Sequence, residues 1–293
     1  MSLAECQVVS NQLQNTVVGK TIVKTIVNQN PHGFVWFATE PQYAFAPKEI
    51  SCRQAEQYDK LLTGKKILKS NVLSHYNYLY IGNRALMFNT LSTRYYGASE
   101  KQPKRHQLYL LLDDGSALVF CGSLGGPLFL FEVDEDGWAI HCRNDFPSVF
   151  SDDFTETFFL DLIKNTDLTK LKPAKSVKCF LATQNRIPGL DNTILHEILW
   201  EAQVNPKSIM ASLGQDAYKR LYAAIKKVFP AVVTAGGLDT QKNIYGNFGN
   251  YVTKASKHTL DKPCQRCGEL IVKEAYMGGV VYYCSKCQPF IKN

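Results

Sequence analysis

The 293-residue sequence has no run of eighteen apolar residues, so no segment of it reads as a membrane-spanning helix. Its opening, MSLAECQ, lacks the basic start and apolar stretch of a secretory leader. There are no internal repeats and no low-complexity tracts, which removes solenoids and compositionally disordered tails. Five of the nine cysteines, Cys6, Cys52, Cys121, Cys142 and Cys179, stand singly and form no secreted disulfide framework. These absences point to a cytoplasmic protein of a reducing compartment with no membrane partner. Acidic residues are scarce in one half only. From Lys172 onward there are 17 Lys and Arg against 8 Asp and Glu, a balance of +9; the first 171 residues hold 16 against 18, or −2. A basic half is the electrostatic footprint of a nucleic-acid binder, and a solvated surface is the other reading of charge alone.

What is present begins near the C-terminus, with CQRCGELIVKEAYMGGVVYYCSKC over residues 264–287. Cys264, Cys267, Cys284 and Cys287 form two Cys-x-x-Cys knuckles, and sixteen residues separate the inner pair. That spacing suits one tetrahedral zinc ion; two disulfides or two redox pairs are the alternatives. Four thiolates leave no open position, so such a zinc would be structural. A segment this short buries little core, and the metal would supply its folding energy. EAYM and VVYYC alternate and meet at Gly278-Gly279, the pattern of a β-hairpin.

The rest divides by periodicity. Val9, Leu13 and Val17 fall four apart and predict a helix near the start. Strand-like runs follow: TIVKTIV, FVWFA, KKILKSNVL, NYLYIG, RALMF, HQLYLLL, SALVFC and PLFLFEV, with one helical stretch at SCRQAEQYDKLL. LLDDGSALV holds an Asp-Gly hairpin signal. After the acidic FSDDFTETF the chain turns helical. Ser176 to Ala182 reads as a short helix stopped by RIPG. DNTILHEILWEAQV places Ile194, Leu195, Ile198, Leu199 and Ala202 on one face. SLGQDAYKRLYAAIKKVF carries Leu221, Ala224, Ile225 and Val228, with Ser212 as N-cap. The expected architecture is a multidomain α+β chain. An N-terminal antiparallel β sandwich with flanking helices occupies 1–150, a helix–two-turns–helix domain 151–258, and a zinc-ribbon hairpin 259–293.

FLATQNRIPGLDNTILHEILW together with CQRC…YYCSKCQ resembles the formamidopyrimidine-DNA glycosylase/endonuclease VIII family of base-excision repair enzymes. The resemblance covers nearly the whole chain. It implies a DNA glycosylase and abasic-site lyase acting on damaged double-stranded DNA as a monomer. In that family a Gly-x-x-Asn turn, here Gly189-Leu190-Asp191-Asn192, opens a helix whose N-terminus faces DNA phosphates. Exposed helix N–H groups and the Asn192 amide can donate to phosphate oxygens, and a plain N-cap is the other use of such a residue.

The resemblance also implies a nucleophile. An N-terminal amine, usually of a proline, attacks the sugar C1′, forms a Schiff base, and leads to β-elimination while a glutamate manages protons. Here the opening Met1-Ser2-Leu3-Ala4-Glu5 has no proline and no glutamate at position three. Alignment on Val18-Gly19-Lys20 sets Ser2 against the family's first glutamate and Glu5 against its second. Removal of Met1 would expose a primary amine on Ser2. Glu5 also reads as a first-turn carboxylate favoured by the helix dipole. His75 falls near the family's phosphate-binding lysine. The arginine of the hairpin tip aligns with Gly279, leaving Lys273 and Lys286 to supply charge without a bidentate fork. The readings that remain are a divergent glycosylase, a non-catalytic binder of damaged DNA on the same scaffold, and a zinc-ribbon RNA-binding protein.

Overall fold

The helix expected near the start runs over Leu3–Thr16 (α1), and Val9, Leu13 and Val17 are all buried. The computed structural model describes residues 1–27, 55–73, 75–88, 93–104, 106–121, 128–133, 146–183 and 186–292. The expected strand FVWFA lies outside these residues. Two compact units are present: Met1, Glu5–Asn144 and Lys242–Asn247 in the first, and Ser2–Ala4, Asp145–Gln241 and Phe248–Asn293 in the second. No described helix is long and apolar enough to cross a membrane.

The first unit holds two four-stranded antiparallel sheets. One has the order β1 (Ile22–Val27), β6 (Leu108–Leu112), β7 (Ala117–Phe120), β5 (Thr93–Tyr96). The other has the order β2 (Ile67–Leu73), β3 (Tyr76–Ile81), β4 (Arg84–Phe88), β8 (Leu128–Glu132). Alternating positions of both sheets fill one core. Ile22, Leu110 and Leu118 meet Ile67, Leu79 and Leu86, with Leu13 of α1 and Leu62 of α2 (Ala55–Leu62) closing over them. Each such side chain, fully buried, contributes roughly 1.5–3 kcal/mol. The Asp-Gly signal is a hairpin between β6 and β7: Gly115 takes φ 80°, which a residue with a Cβ resists. Asp114 accepts from the Ser116 N–H and pairs with Lys20 at 2.6 Å. The Lys20 ammonium and the Ser116 hydroxyl bring its carboxyl down to about 2.

In the second unit α3 (Glu156–Lys164) is capped by Thr155, whose hydroxyl accepts from the Phe158 N–H. The short helix expected over Ser176–Ala182 is a helical turn that ends as a π turn over Cys179–Thr183. α4 (Asn192–Ala202) packs on α5 (Gln215–Thr234), and the apolar residues expected on each facing surface are buried. Ser212 is not the N-cap of α5. It closes a 3-10 turn and donates to the Lys292 carbonyl, while Gly214 caps the helix without a side chain. α5 also runs on through Pro230, because buried Phe229 and Val232 outweigh a proline cost of about 3 kcal/mol. Two strands, β9 (Ile271–Tyr276) and β10 (Gly279–Cys284), form the terminal hairpin. Its turn is Met277-Gly278, both at positive φ (53° and 71°), and Gly279 already belongs to β10. The turn therefore sits one residue earlier than Gly278-Gly279. A two-residue turn with both φ positive matches the twist of paired strands.

Candidate nucleic-acid interface and metal centre

The four knuckle cysteines converge. Their sulfurs lie within 4.8 Å of one another, Cys267 and Cys284 at 3.4 Å and Cys264 and Cys287 at 3.9 Å. All four are free thiols, and the cluster can hold a metal ion. Four sulfurs at about 2.3 Å from one tetrahedral ion stand roughly 3.8 Å apart, so the donor set fits. Burial raises the Cys264 thiol, but N–H donors from Arg266, Trp200 and Cys267 outweigh it and bring the group down to about 7. Buried Ile271, Trp200 and Ala255 wall the cluster.

The start of α4 is built differently from the sequence reading. Asp191 is the N-cap: its Oδ1 accepts from the N–H groups of Thr193 (3.0 Å) and Ile194 (3.1 Å). Asn192 is thereby the first helical residue. Its amide donates to the Val280 carbonyl on β10 at 3.1 Å, and its Oδ1 is buried without a partner. Gly189 holds φ 79°, a conformation that favours glycine at this turn. The Gly189 carbonyl accepts from the Leu3 N–H at 2.8 Å, which ties the first residues of the chain to the turn that opens α4.

Three buried polar residues unmarked by the sequence reading stand beside the hairpin or the segment that leads into it. Lys178, 5 % exposed, donates to the Tyr276 carbonyl at 3.3 Å, and burial lowers its pKa. A Cβ added at Gly279 would meet the Lys178 Nζ at 3.7 Å, so this ammonium stands beside the hairpin tip. His196 on α4 meets Tyr282 edge to face at 5.5 Å. Burial, then the charge of Lys178, bring its imidazole down to about 4, against a hydrogen bond with the Val280 carbonyl. Glu197, also buried, accepts from the N–H groups of Lys254 and Ala255, each at 3.0 Å, and so holds the segment leading into the first knuckle. His196 and Glu197 were missed because a polar pair after an apolar pair imitates a solvent face; no periodicity reveals buried partners. Asn192, Thr193 and His196 line a cavity of about 230 Å³ together with Thr253, Ser256 and Lys257.

The remaining candidates are more dispersed. Ser2 immediately precedes α1 and Glu5 sits in its first turn; they are 1 % and 4 % exposed. The Cys6 carbonyl in the same turn accepts from the buried Asn77 amide at 2.8 Å, anchoring α1 to β3. His75 stands two residues before Asn77, in the turn between β2 and β3, half-buried, with its ring 4.2 Å from that of Tyr76. Lys273 on β9 and Lys286 in the second knuckle are exposed.

Residues 147–243 match the formamidopyrimidine-DNA glycosylase H2TH domain. The chain is 25 % identical over 299 residues to the formamidopyrimidine-DNA glycosylase of Carboxydothermus hydrogenoformans, covering 98 % of each. It is 25 % identical over 296 residues to that of Bacillus cereus, covering 99 % of each. Its fold is similar to Lactococcus lactis Fpg, solved in complex with abasic-site-containing DNA. The TM-score is 0.78 at 21 % identity, over 98 % of this chain and 99 % of that one.

Proposed function

We propose that this chain, which belongs to the formamidopyrimidine-DNA glycosylase family, is a DNA repair protein that binds damaged or abasic double-stranded DNA and cleaves it as a glycosylase and abasic-site lyase. The observation that carries the reading is the hydrogen bond from Leu3 to Gly189, which holds the chain's start against the turn that opens α4. An amine at that start and phosphate donors at that helix are the two things the chemistry requires together. Asn192 keeps one amide hydrogen for Val280 and has a second for a phosphate oxygen; the helix N-terminus favours the anion. Lys273, Lys286 and His75 add contacts along the backbone of the duplex. One structural zinc ion held by the four thiolates fixes the hairpin.

Ser2 is the nucleophile once Met1 is removed. An α-amino group has a pKa of about 8, so a fraction is neutral near pH 7. Its nitrogen bonds C1′ of the damaged nucleotide as the bond to the base breaks. The sugar ring then opens as the C1′–O4′ bond breaks and O4′ takes a proton, leaving an iminium at C1′. Loss of a C2′ proton beside that iminium expels the 3′ phosphate, and Glu5 is the carboxylate in the same stretch of helix to carry protons. A second reading, a non-catalytic binder of the same DNA, is favoured by the burial of Ser2 and Glu5 and by the missing proline.

Borohydride trapping on an abasic duplex separates the two. The expected outcome is a covalent adduct mapping to the first residue of the mature chain, weaker on intact damaged bases than on preformed abasic sites. Tight binding with no adduct would establish the binder instead.

A further inference from the structure

The C-terminal end of α4 and the first cysteine knuckle hold each other through two side chains that run in opposite directions. Trp200, in the last turn of α4 and 8 % exposed, donates its indole N–H to the Cys264 sulfur at 3.3 Å. Arg266, between the two cysteines of the knuckle, donates from Nη1 to the Trp200 carbonyl at 2.8 Å and from Nη2 to the Glu201 carbonyl at 3.5 Å. Its guanidinium lies 4.2 Å from the centre of the indole ring.

Each half has a physical consequence. A metal-bound thiolate keeps negative charge, and an N–H aimed at it is a charge-assisted hydrogen bond. Such an outer donor fixes the sulfur's orientation and offsets its charge, which slows its protonation and loss from the metal. At the other side, carbonyls 200 and 201 belong to the last turn of a helix; the Gln203 N–H meets the first of them at 3.3 Å, and the dipole there favours a cation. Arg266 supplies that cation.

We propose that Trp200 and Arg266 form a reciprocal clasp in which the helix retains the metal and the metalled knuckle caps the helix. Trp200 is a positioning residue for Cys264, and Arg266 adds a side-chain cap to the end of α4, beyond the backbone cap that Gln203 makes to the Leu199 and Trp200 carbonyls. Trp200 follows Asn192 by eight residues, a rise of about 12 Å along one helix. Loss of metal therefore loosens the far end of the element that presents Asn192. The inference rests on the zinc reading above.

The test uses the full, metal-loaded chain. Trp200→Phe keeps an apolar ring and removes the N–H; Arg266→Met keeps the stem and removes the cap. Zinc transfer from Trp200→Phe to a chelating dye is expected to be about tenfold faster than from the parent protein. Arg266→Met is expected to speed hydrogen exchange in the last turn of α4. In the cadmium-113 form of the unmodified protein, the Trp200 indole proton is expected to show coupling to the metal through the sulfur. That measurement decides the matter even where a variant fails to fold. Metal uptake with no such coupling and an unchanged release rate overturns the clasp alone. A chain that takes up no metal at all overturns the zinc reading with it.

Discussion

The cysteine knuckles and the start of the chain are built in opposite ways: one is self-contained and the other depends on its surroundings. The knuckles carry their four cysteines within 24 residues, joined by a hairpin that pairs Gly279 with Tyr276 through to Cys284 with Ile271. The start of the chain is held from far away, by the Gly189 carbonyl that accepts from the Leu3 N–H 186 positions earlier. A centre of the first kind is legible within one segment, whereas one of the second kind emerges only when distant elements are placed together.

On the proposed zinc reading, removing the metal should break the self-contained centre with the largest effect. Structural zinc supplies about 10–16 kcal/mol in isolated knuckle domains, more than this small hairpin core can replace. Chelation, or Cys284→Ala, is expected to abolish the β9–β10 pairing in hydrogen exchange while the sheets of the first unit keep their protection. Retention of hairpin protection in metal-free protein would show that packing alone holds it.

An intermediate effect should come from pH, through the side of the hairpin that rests on His196. Its imidazole titrates at about 4 in the folded chain, against about 6.5 when unfolded. Above about pH 6.5 both states are neutral and its contribution is whole. As pH falls towards 4, the unfolded chain takes a proton that the folded chain refuses, and stability is lost. Between pH 7 and pH 5 the loss should be on the order of 2 kcal/mol. Denaturant unfolding of the parent and of His196→Phe isolates it: the difference between their stabilities should narrow or reverse as pH falls. Parallel pH profiles would exclude His196 as the source.

Much of the fold was legible because apolar spacing records burial directly. Val9, Leu13 and Val17 on α1, the Asp-Gly turn after Leu112, and the facing stripes of α4 and α5 all follow from period and turn chemistry. β5 was not legible, since Thr-Arg-Tyr-Tyr is short, part polar, and an edge strand that pairs with β7 on one side and meets the Ile244 carbonyl through the Tyr95 N–H. At the candidate site, residue type was legible and role was not. Asp191 and Asn192 are both good caps, and only the folded turn decides that Asp191 takes the N–H groups while Asn192 reaches Val280. Lys178, His196 and Trp200 carry no sequence signal, because each matters through a partner about 65 to 100 residues away.

The smallest predicted effect tests whether α4 is a phosphate-facing helix or only a well-capped one. Asn192→Ala removes a neutral donor that both steadies Val280 and, on the proposal above, meets a phosphate. Losing one such hydrogen bond costs about 1 kcal/mol, or roughly fivefold in duplex affinity. No counterion leaves with a neutral amide, so the dependence of affinity on salt should keep its slope. Lys273→Ala should do the reverse, lowering the slope by about 0.9 because one phosphate neutralisation is lost. Thermal unfolding of both variants separates a weakened hairpin from a lost contact. If Asn192→Ala lowers duplex affinity with its melting unchanged, the amide's second hydrogen meets DNA; if affinity falls only together with hairpin stability, Asn192 acts through Val280 and α4 is a well-capped helix with Asp191 on its N–H groups.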